Sequence, residues 1–510
     1  MLREASGPLE ASISVEALRA APAALVAAAL IVHALVWALA THFADPSPPP
    51  QMAIAIALGR EWLLGYPDLP PLAAWVSEGI YRATHSLFAV RLVAASCVAL
   101  SGWILFQFLR RLVGDRQGAI AVLVMVSVFP VAFPGSALTG DLLQMPLLAA
   151  LLLSWWIAVG EKNPNGWMSL GLLAALSLYA GPQGVVLLAV LALVTLLSAP
   201  MRAALGNAQA MFALAAGLLI FAHAGAPRLL WLWFHSGDSF LAGAGAGITE
   251  REFQSPLRLL LTLLAGHLGF LLLIVLAAFH TAKSKEQAPV FARQPATPSL
   301  RWSVIVVAIL PAVFALLWLY LSAQNTRPQF FSSLLLLGGA AAVLIGGESL
   351  VLRRQTLVGS ILLIFLFVPP AIALASSFLP GWFGDNRAAN WPAASAARTF
   401  TEIFRTRTGR PLEYIAGDRI PAAQIAVMSD ARPHLVADSD PSHSPWIDAE
   451  DFKKKGGVVF WEIRGADVSP PLALTRRLPA FTAEAPLRLP WARGGGEPVR
   501  LGWAILPSAL

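Results

Sequence analysis

The sequence predicts an all-α polytopic membrane domain over residues 1–384, followed by a small α/β domain over 385–510 on the outer face of the membrane. Three observations predict it. Of 510 residues, 57% are hydrophobic and only 13% charged, with a mean hydropathy of +0.66; soluble globular chains carry about 25% charged residues. The apolar residues come in runs of about 18 to 25, the length that crosses roughly 30 Å of hydrocarbon as helix. Beyond residue 385 these runs stop and short alternating segments replace them.

Spans are expected near 21–41, 88–109, 118–135, 142–160, 166–180, 183–199, 208–225, 257–279, 302–323, 330–347 and 356–379, about eleven in all. Residues 1–20 mix acids with bases and the next run has full span length, which reads as a signal anchor. Basic residues check the count. Arg110, Arg111, Arg116, Lys162, Arg202, Lys283, Lys285, Arg293, Arg301, Arg353 and Arg354 all fall in loops of one side. The positive-inside rule makes that side cytoplasmic, so the N-terminus is expected inside and the C-terminus outside. The outer side then holds 42–87, 136–141, 226–256, 324–329 and everything after 380.

The first outer loop, 42–87, is too polar to span. "QMAIAIALGREWLL" and "PPLAAWVSEGIYRATHSLF" are short amphipathic patterns separated by prolines, which start or break helices. Trp62, Trp75, Tyr66 and Tyr81 suit helices lying at the membrane interface, where a ring can be half wet. After 385, "EYIAGD", "PHLVAD", "GGVVFWEIRG" and "VRLGWAILP" read as strands, and "AASAARTFTEIFRTRTG" and "DAEDFKKKG" as helices.

The net charge of +7 reports topology rather than nucleic-acid binding. The single cysteine, Cys97, excludes an intrachain disulfide. The C-terminal segment shows no glycine-rich phosphate loop, no GxSxG and no metal-type His/Cys spacing, so it reads as a cap or an acceptor-binding domain. A transporter is the weaker class, because intramembrane charges and repeated halves are scarce.

Several stretches together resemble a known family. "GREWLLGYPDLPPLAAW" follows the first span, "SALTGDLLQMPLL" puts Asp141 at the next outer loop, and "LLAALSLYAGPQGVVLL" and "WLWFHSGDSF" follow. The chain resembles the GT-C glycosyltransferases of the family 39 type, which include protein O-mannosyltransferases and the transferases that add aminoarabinose or galacturonic acid to lipid A. The resemblance implies a membrane glycosyltransferase of a bacterial inner membrane, with a periplasmic C-terminal domain. It would take a sugar from a polyprenyl-phosphate donor and pass it to a lipid or glycan acceptor. Donor, acceptor and membrane lipids are the implied partners, with no nucleic acid. A carboxylate would accept the proton of the acceptor hydroxyl or amine, while cations, or a divalent metal ion as the one candidate cofactor, stabilise the leaving phosphate. Three positions depart from the family pattern: Gln51 stands where an acid is usual, and Leu69 and Leu178 where a basic residue is usual. They keep open a non-catalytic relative that binds a polyprenyl phosphate and scaffolds envelope-glycan assembly.

Asp141, Asp68 and Asp45 are the catalytic candidates, Asp45 as a substitute for the acid missing at Gln51. Each has a plainer role: Asp141 as a helix N-cap, Asp68 in the turn "YPDLPP" and Asp45 in the turn "ADPSPPP". Gln51, Arg60, Glu61, Tyr66, His235, Asp238, Arg251 and Arg327 are the substrate-binding candidates. Arg60 and Glu61 could instead form the solvated face of their helix, and Arg251 and Arg327, like Arg228 and Arg258, could be snorkelling anchors. His42 is a lone interfacial histidine. His33, His223 and His267 lie in apolar runs and read as packing residues. The metal ligands are left unassigned.

Overall fold

A computed structural model describes residues 12–66, 69–235, 255–278, 289–321, 328–352, 354–379, 387–440, 444–463, 465–478, 481–494 and 497–506. The membrane domain is built from α1 (Ile13–Ala20), α2 (Pro22–Ala44), α3 (Pro50–Gly59), α4 (Pro71–Thr84), α5 (Leu87–Val113), α6 (Asp115–Met125), α7 (Phe129–Ala132), α8 (Gly140–Val159) and α9 (Asn165–Ala180). It continues with α10 (Gln183–Leu197), α11 (Ala199–Arg202), α12 (Ala208–Phe234), α13 (Pro256–Gly266), α14 (Leu268–Ala278), α15 (Pro298–Leu321), α16 (Gly338–Ile345) and α17 (Gln355–Phe378).

Among the described residues, seven helices are long and apolar enough to cross a membrane, or eight if the bent pair Gln183–Leu197 and Ala199–Leu205 forms one span. The other expected spans are shorter helices. The run 118–135 is broken between α6 and α7, where Pro130 and Pro134 follow. The run 183–199 turns by 96° at its end, beside Pro200. Hydropathy does not register such breaks, because proline and glycine occur freely in apolar runs.

The helix ends sort onto two faces. On one, Arg110 pairs with Asp115 at 2.9 Å and Arg111 with Glu161 at 3.3 Å, and Arg116 donates to the Arg19 carbonyl. Here β1 (Val290–Ala292) and β2 (Ser349–Val351) form an antiparallel pair that Gln117 ties to α6, its Nε2 donating to the Phe291 and Glu348 carbonyls at 2.8 and 3.0 Å. Arg110, Arg111, Arg116 and Arg293, expected on one side of the membrane, are together on this face. On the other face the ends of α2, α5, α8, α9, α10, α12 and α17 meet the first loop and the C-terminal domain.

That domain carries a five-stranded sheet of order β4-β3-β5-β7-β6. The strands β3 (Tyr414–Gly417), β4 (His434–Ala437) and β5 (Gly457–Glu462) are parallel, and β6 (Leu487–Leu489) and β7 (Val499–Leu506) complete it antiparallel. The four strands and two helices read from the sequence are all present. The helix Arg419–Met428 and the short β6 lack a long alternating or amphipathic signal and add to them.

The helices of the first loop correct an expectation. Helix α3 does not float at an interface: Met52 to Gly59 are all buried, in one core with Phe400, Ile425, Val427 and Phe460 of the C-terminal domain. Pro50 and Pro71 open α3 and α4, where the missing N–H costs no intrahelical bond. Of the four aromatics expected half wet, Trp62 is exposed, Trp75 and Tyr81 are half-buried and only Tyr66 departs from the expectation. Tyr66 is buried, Trp75 donates to the Leu63 carbonyl at 3.0 Å, and Tyr81 donates to the Val427 carbonyl at 3.1 Å. The apolar face of α3 is covered by protein rather than by lipid.

Ion pairs close this contact. Arg432 Nη2 meets Glu78 Oε2 at 2.7 Å and its guanidinium lies 4.8 Å from the Tyr81 ring centroid. His434 Nδ1 and Glu61 Oε1 are 2.7 Å apart. Glu78 is almost fully buried, so Glu78→Ala leaves Arg432 without its partner in a half-dry interface. The expected cost is about 1–3 kcal/mol, seen as a lower unfolding temperature and faster proteolysis of the C-terminal domain. An unchanged unfolding temperature would mean the pair contributes nothing.

Candidate functional site

The face of the membrane domain that meets the first loop and the C-terminal domain gathers three polar groups of side chains. The first surrounds Asp141, in the first turn of α8. Thr139 performs the N-cap, its hydroxyl accepting from Leu142 N–H at 3.2 Å. The Asp141 carboxylate, nearly fully buried, is therefore not the cap. Gln183 Nε2 donates to its Oδ1 at 2.7 Å. Gln183 opens α10 just after the Gly181–Pro182 break, and one turn along α8 Gln144 Nε2 donates to the Ser177 and Gly181 carbonyls at 2.8 and 2.9 Å. Two amides thus fasten the α9–α10 junction to the start of α8. Gly140 is in the same contact, its Cα side packed against the Ala180 carbonyl and Pro70. Pro70, which precedes α4, therefore packs beside the turn that carries Asp141.

The second group surrounds Asp45, at the C-terminal end of α2, also buried. Arg91 of α5 donates from Nη2 to the Asp45 backbone carbonyl at 3.1 Å, and its Nη1 lies 3.4 Å from His42 Nδ1. Burial pushes the Asp45 carboxyl above the usual range, and the Arg91 charge, a Ser136 hydrogen bond and Arg493 pull against that shift. A carboxylate held this way binds a proton more readily than one in water.

The third lies under the loop 62–66. Arg228 of α12 is buried, donates to the Leu64 carbonyl at 3.2 Å and stacks on Trp231 with 4.7 Å to the ring centroid. Gly65 passes directly over this pair, where a Cβ would press on Trp231. Trp75 and Tyr179 pack beside it, centroids 5.5 Å apart.

The remaining candidates fall in different places. Asp68, Asp238, Arg251 and Arg327 lie outside the described residues; Tyr66 and Leu69, on either side of Pro67–Asp68, pair as an isolated antiparallel bridge. Gln51 is half-buried in the first turn of α3. The Tyr66 hydroxyl accepts from Leu63 N–H at 3.2 Å. Glu61 is engaged by His434, and Arg60 shares that half-buried neighbourhood with Glu61, Arg432, Glu78 and Glu413; they are not a solvated helix face. His235 is exposed and stacked on Trp231 at 4.4 Å. Leu178 is buried against Gly225 of α12, an apolar contact with no place for a lysine head. His33 packs as expected, with Nε2 3.1 Å from the Val131 carbonyl. Among the described residues no three His, Cys, Asp or Glu side chains gather to hold a metal.

Four residues of these groups escaped the sequence reading: Arg91, Gln144, Gln183 and Arg493. A polar or charged side chain inside an apolar run marks a functional position by default, and "LFAVRLVAAS" and "LYAGPQGVV" carry that signal for Arg91 and Gln183. Nothing local marks Arg493.

Residues 68–231 match the sequence profile of the family described as dolichyl-phosphate-mannose-protein mannosyltransferase. The fold is similar to the crystal structure of ArnT from Cupriavidus metallidurans bound to undecaprenyl phosphate, at 13% identity and a TM-score of 0.56, over 94% of this chain and 98% of that one. The apo ArnT structure aligns at 14% identity and a TM-score of 0.48, over 92% and 96%. The apo oligosaccharyltransferase of Archaeoglobus fulgidus aligns at 13% and 0.38, over 85% and 69%. No curated protein matches the sequence.

Proposed function

We propose that this chain, a multi-pass membrane protein with the GT-C fold of the family 39 type, moves a sugar from a polyprenyl-phosphate donor to an acceptor on the periplasmic side of a bacterial inner membrane. The observation that carries the reading is the buried Asp141–Gln183 pair, at the end of the bundle where Pro70 packs against Gly140. The undecaprenyl phosphate named in the ArnT structure supports a lipid of the same class as the donor's carrier. In the reaction a carboxylate among Asp141, Asp68 and Asp45 takes the acceptor's proton, and the freed oxygen or nitrogen attacks the anomeric carbon. The C1–oxygen bond breaks with its electron pair on the phosphate, and the configuration inverts. Buried carboxylates such as Asp141 and Asp45 suit proton transfer, and buried guanidinium groups suit a phosphate leaving group. With this chemistry outside, the N-terminus is cytoplasmic.

A second reading, a non-catalytic lipid-binding scaffold, draws on Gln51 and on Leu178, whose packing excludes the family's cation. One experiment separates the two. The purified full chain is given undecaprenyl-phosphate-linked sugars, and release of undecaprenyl phosphate is measured beside equilibrium binding. Turnover supports the transferase. Tight binding without turnover of any donor favours the scaffold, and neither binding nor turnover overturns both.

A further inference from the structure

Arg493 lies between β6 and β7 in the C-terminal domain, 449 residues along the chain from the group it touches. Its Nη1 donates to the Ala44 carbonyl at 2.9 Å and to Ser377 Oγ at 2.7 Å, and its guanidinium stacks 4.2 Å from the Phe378 ring centroid. The Ser377 hydroxyl also donates to the Ala44 carbonyl. The C-terminal ends of α2 and α17 therefore converge on one guanidinium, where the carbonyl ends of both helices favour a cation. Its neighbour Ala492 is fixed as well, N–H to the Asn390 carbonyl at 2.8 Å.

Asp45 sits at the end of α2, between this guanidinium and Arg91. Both arginines act on its carboxylate, yet the hydrogen bonds of each go to carbonyls, a hydroxyl or a histidine. A guanidinium that forms a bidentate pair occupies the lone pairs of a carboxylate. Neither guanidinium here bonds to the carboxylate, so both supply charge and leave its oxygens, one of them already meeting Ser136, able to accept.

We propose that Arg493 is a positioning residue delivered by the C-terminal domain: with Arg91 it brackets Asp45 and holds it as the proton acceptor of the outer-face site. This rests on the transferase reading above. The acceptor's proton passes to an Asp45 oxygen, the acceptor bonds to the anomeric carbon, and the phosphate leaves with the electron pair. The C-terminal domain is then part of the site, not only a cover over α3 and α4. The groups facing Asp45 are Arg91 from α5, Arg493 from the β6–β7 segment, Ser136 from the segment before α8 and, through Arg91, His42 from α2.

The test uses the full chain and the variants Arg493→Gln, Arg493→Lys and Asp45→Asn. Losing a nearby positive charge raises the Asp45 pKa, so Arg493→Gln should move the acidic limb of the kcat/KM profile toward higher pH and lower kcat about tenfold. Arg493→Lys should restore the limb. An unmoved limb overturns the proposal. Unfolding temperature gives a readout that needs no substrate. At pH 8, Arg493→Gln should cost about 2 °C more in the wild type than in Asp45→Asn. The excess should vanish as falling pH protonates Asp45. Equal losses at pH 8 overturn the Arg493 assignment even if transfer is observed. An excess at pH 8 with no transfer from any donor overturns the transferase reading and retains the charge bracket.

Discussion

Asp141→Asn is expected to lower kcat for sugar transfer about 10²–10³-fold while moving the unfolding temperature little. Gln183 Nε2 donates to Asp141 Oδ1, and asparagine keeps an acceptor at that position, so the α8–α10 contact survives. What disappears is the negative charge, which stabilises the positive charge developing at the anomeric carbon while Asp45 takes the proton. The rival account is purely structural, an acid near a helix N-terminus worth about 0.3–1 kcal/mol through the helix dipole. Thr139 already caps α8, so that account predicts a small stability loss and nearly intact turnover. Parallel assays of wild type, Asp141→Asn and Gln183→Leu separate them. If the Asn variant turns over at more than about half the wild-type rate, Asp141 has no catalytic role. Gln183→Leu removes the donor and leaves a buried carboxylate short of a hydrogen bond, so it should cost stability where Asp141→Asn does not.

Much of this architecture was legible because a bilayer imposes one dominant period. Runs such as those of α2, α8 and α17 had to be helices of about 20 residues, and their ends lie within a few residues of the expected ones. The short alternating segments after 385 gave four of the five strands of the C-terminal sheet. Legibility failed where a surface was shared. Helix α3 carries an apolar face in the sequence, and nothing local says whether lipid or protein will cover it. The answer lies in Phe400 and Ile425, far along the chain. The same holds for Glu61 and Glu78, whose partners His434 and Arg432 are more than 350 residues away. Asp141 could be read from its place after Thr-Gly at a span start, whereas Gln183 looked like a mere interruption between two apolar runs. Its role emerges only when α8 and α10 stand side by side.

Gly140→Ala is expected to reduce transfer about 100-fold, although it adds one methyl group to a residue that takes no proton. The Cβ would press on the Ala180 backbone carbonyl and lie 2.8 Å from Pro70 Cγ. Neither neighbour can rotate away: one is the last carbonyl of α9, which ends at the Gly181–Pro182 break, and the other is a proline ring at the start of α4. The start of α8 must move instead, on the order of 1 Å, and a displacement of that size at a reacting group can cost about 10²-fold. Overpacking of this kind also costs about 1–3 kcal/mol of stability, so a control is needed to separate placement from folding. Gly79 provides it. It lies on α4, near the same mouth, and a Cβ there meets only Trp62, at 3.9 Å. Gly79→Ala should stabilise the helix by about 0.4–1 kcal/mol and leave transfer unchanged. If Gly140→Ala unfolds at a lower temperature but, where still folded, transfers at the wild-type rate, then Pro70 and Ala180 merely pack against α8. The junction of the first loop, α8 and α9 would then be structural, and the carboxylates it carries would act independently of one another.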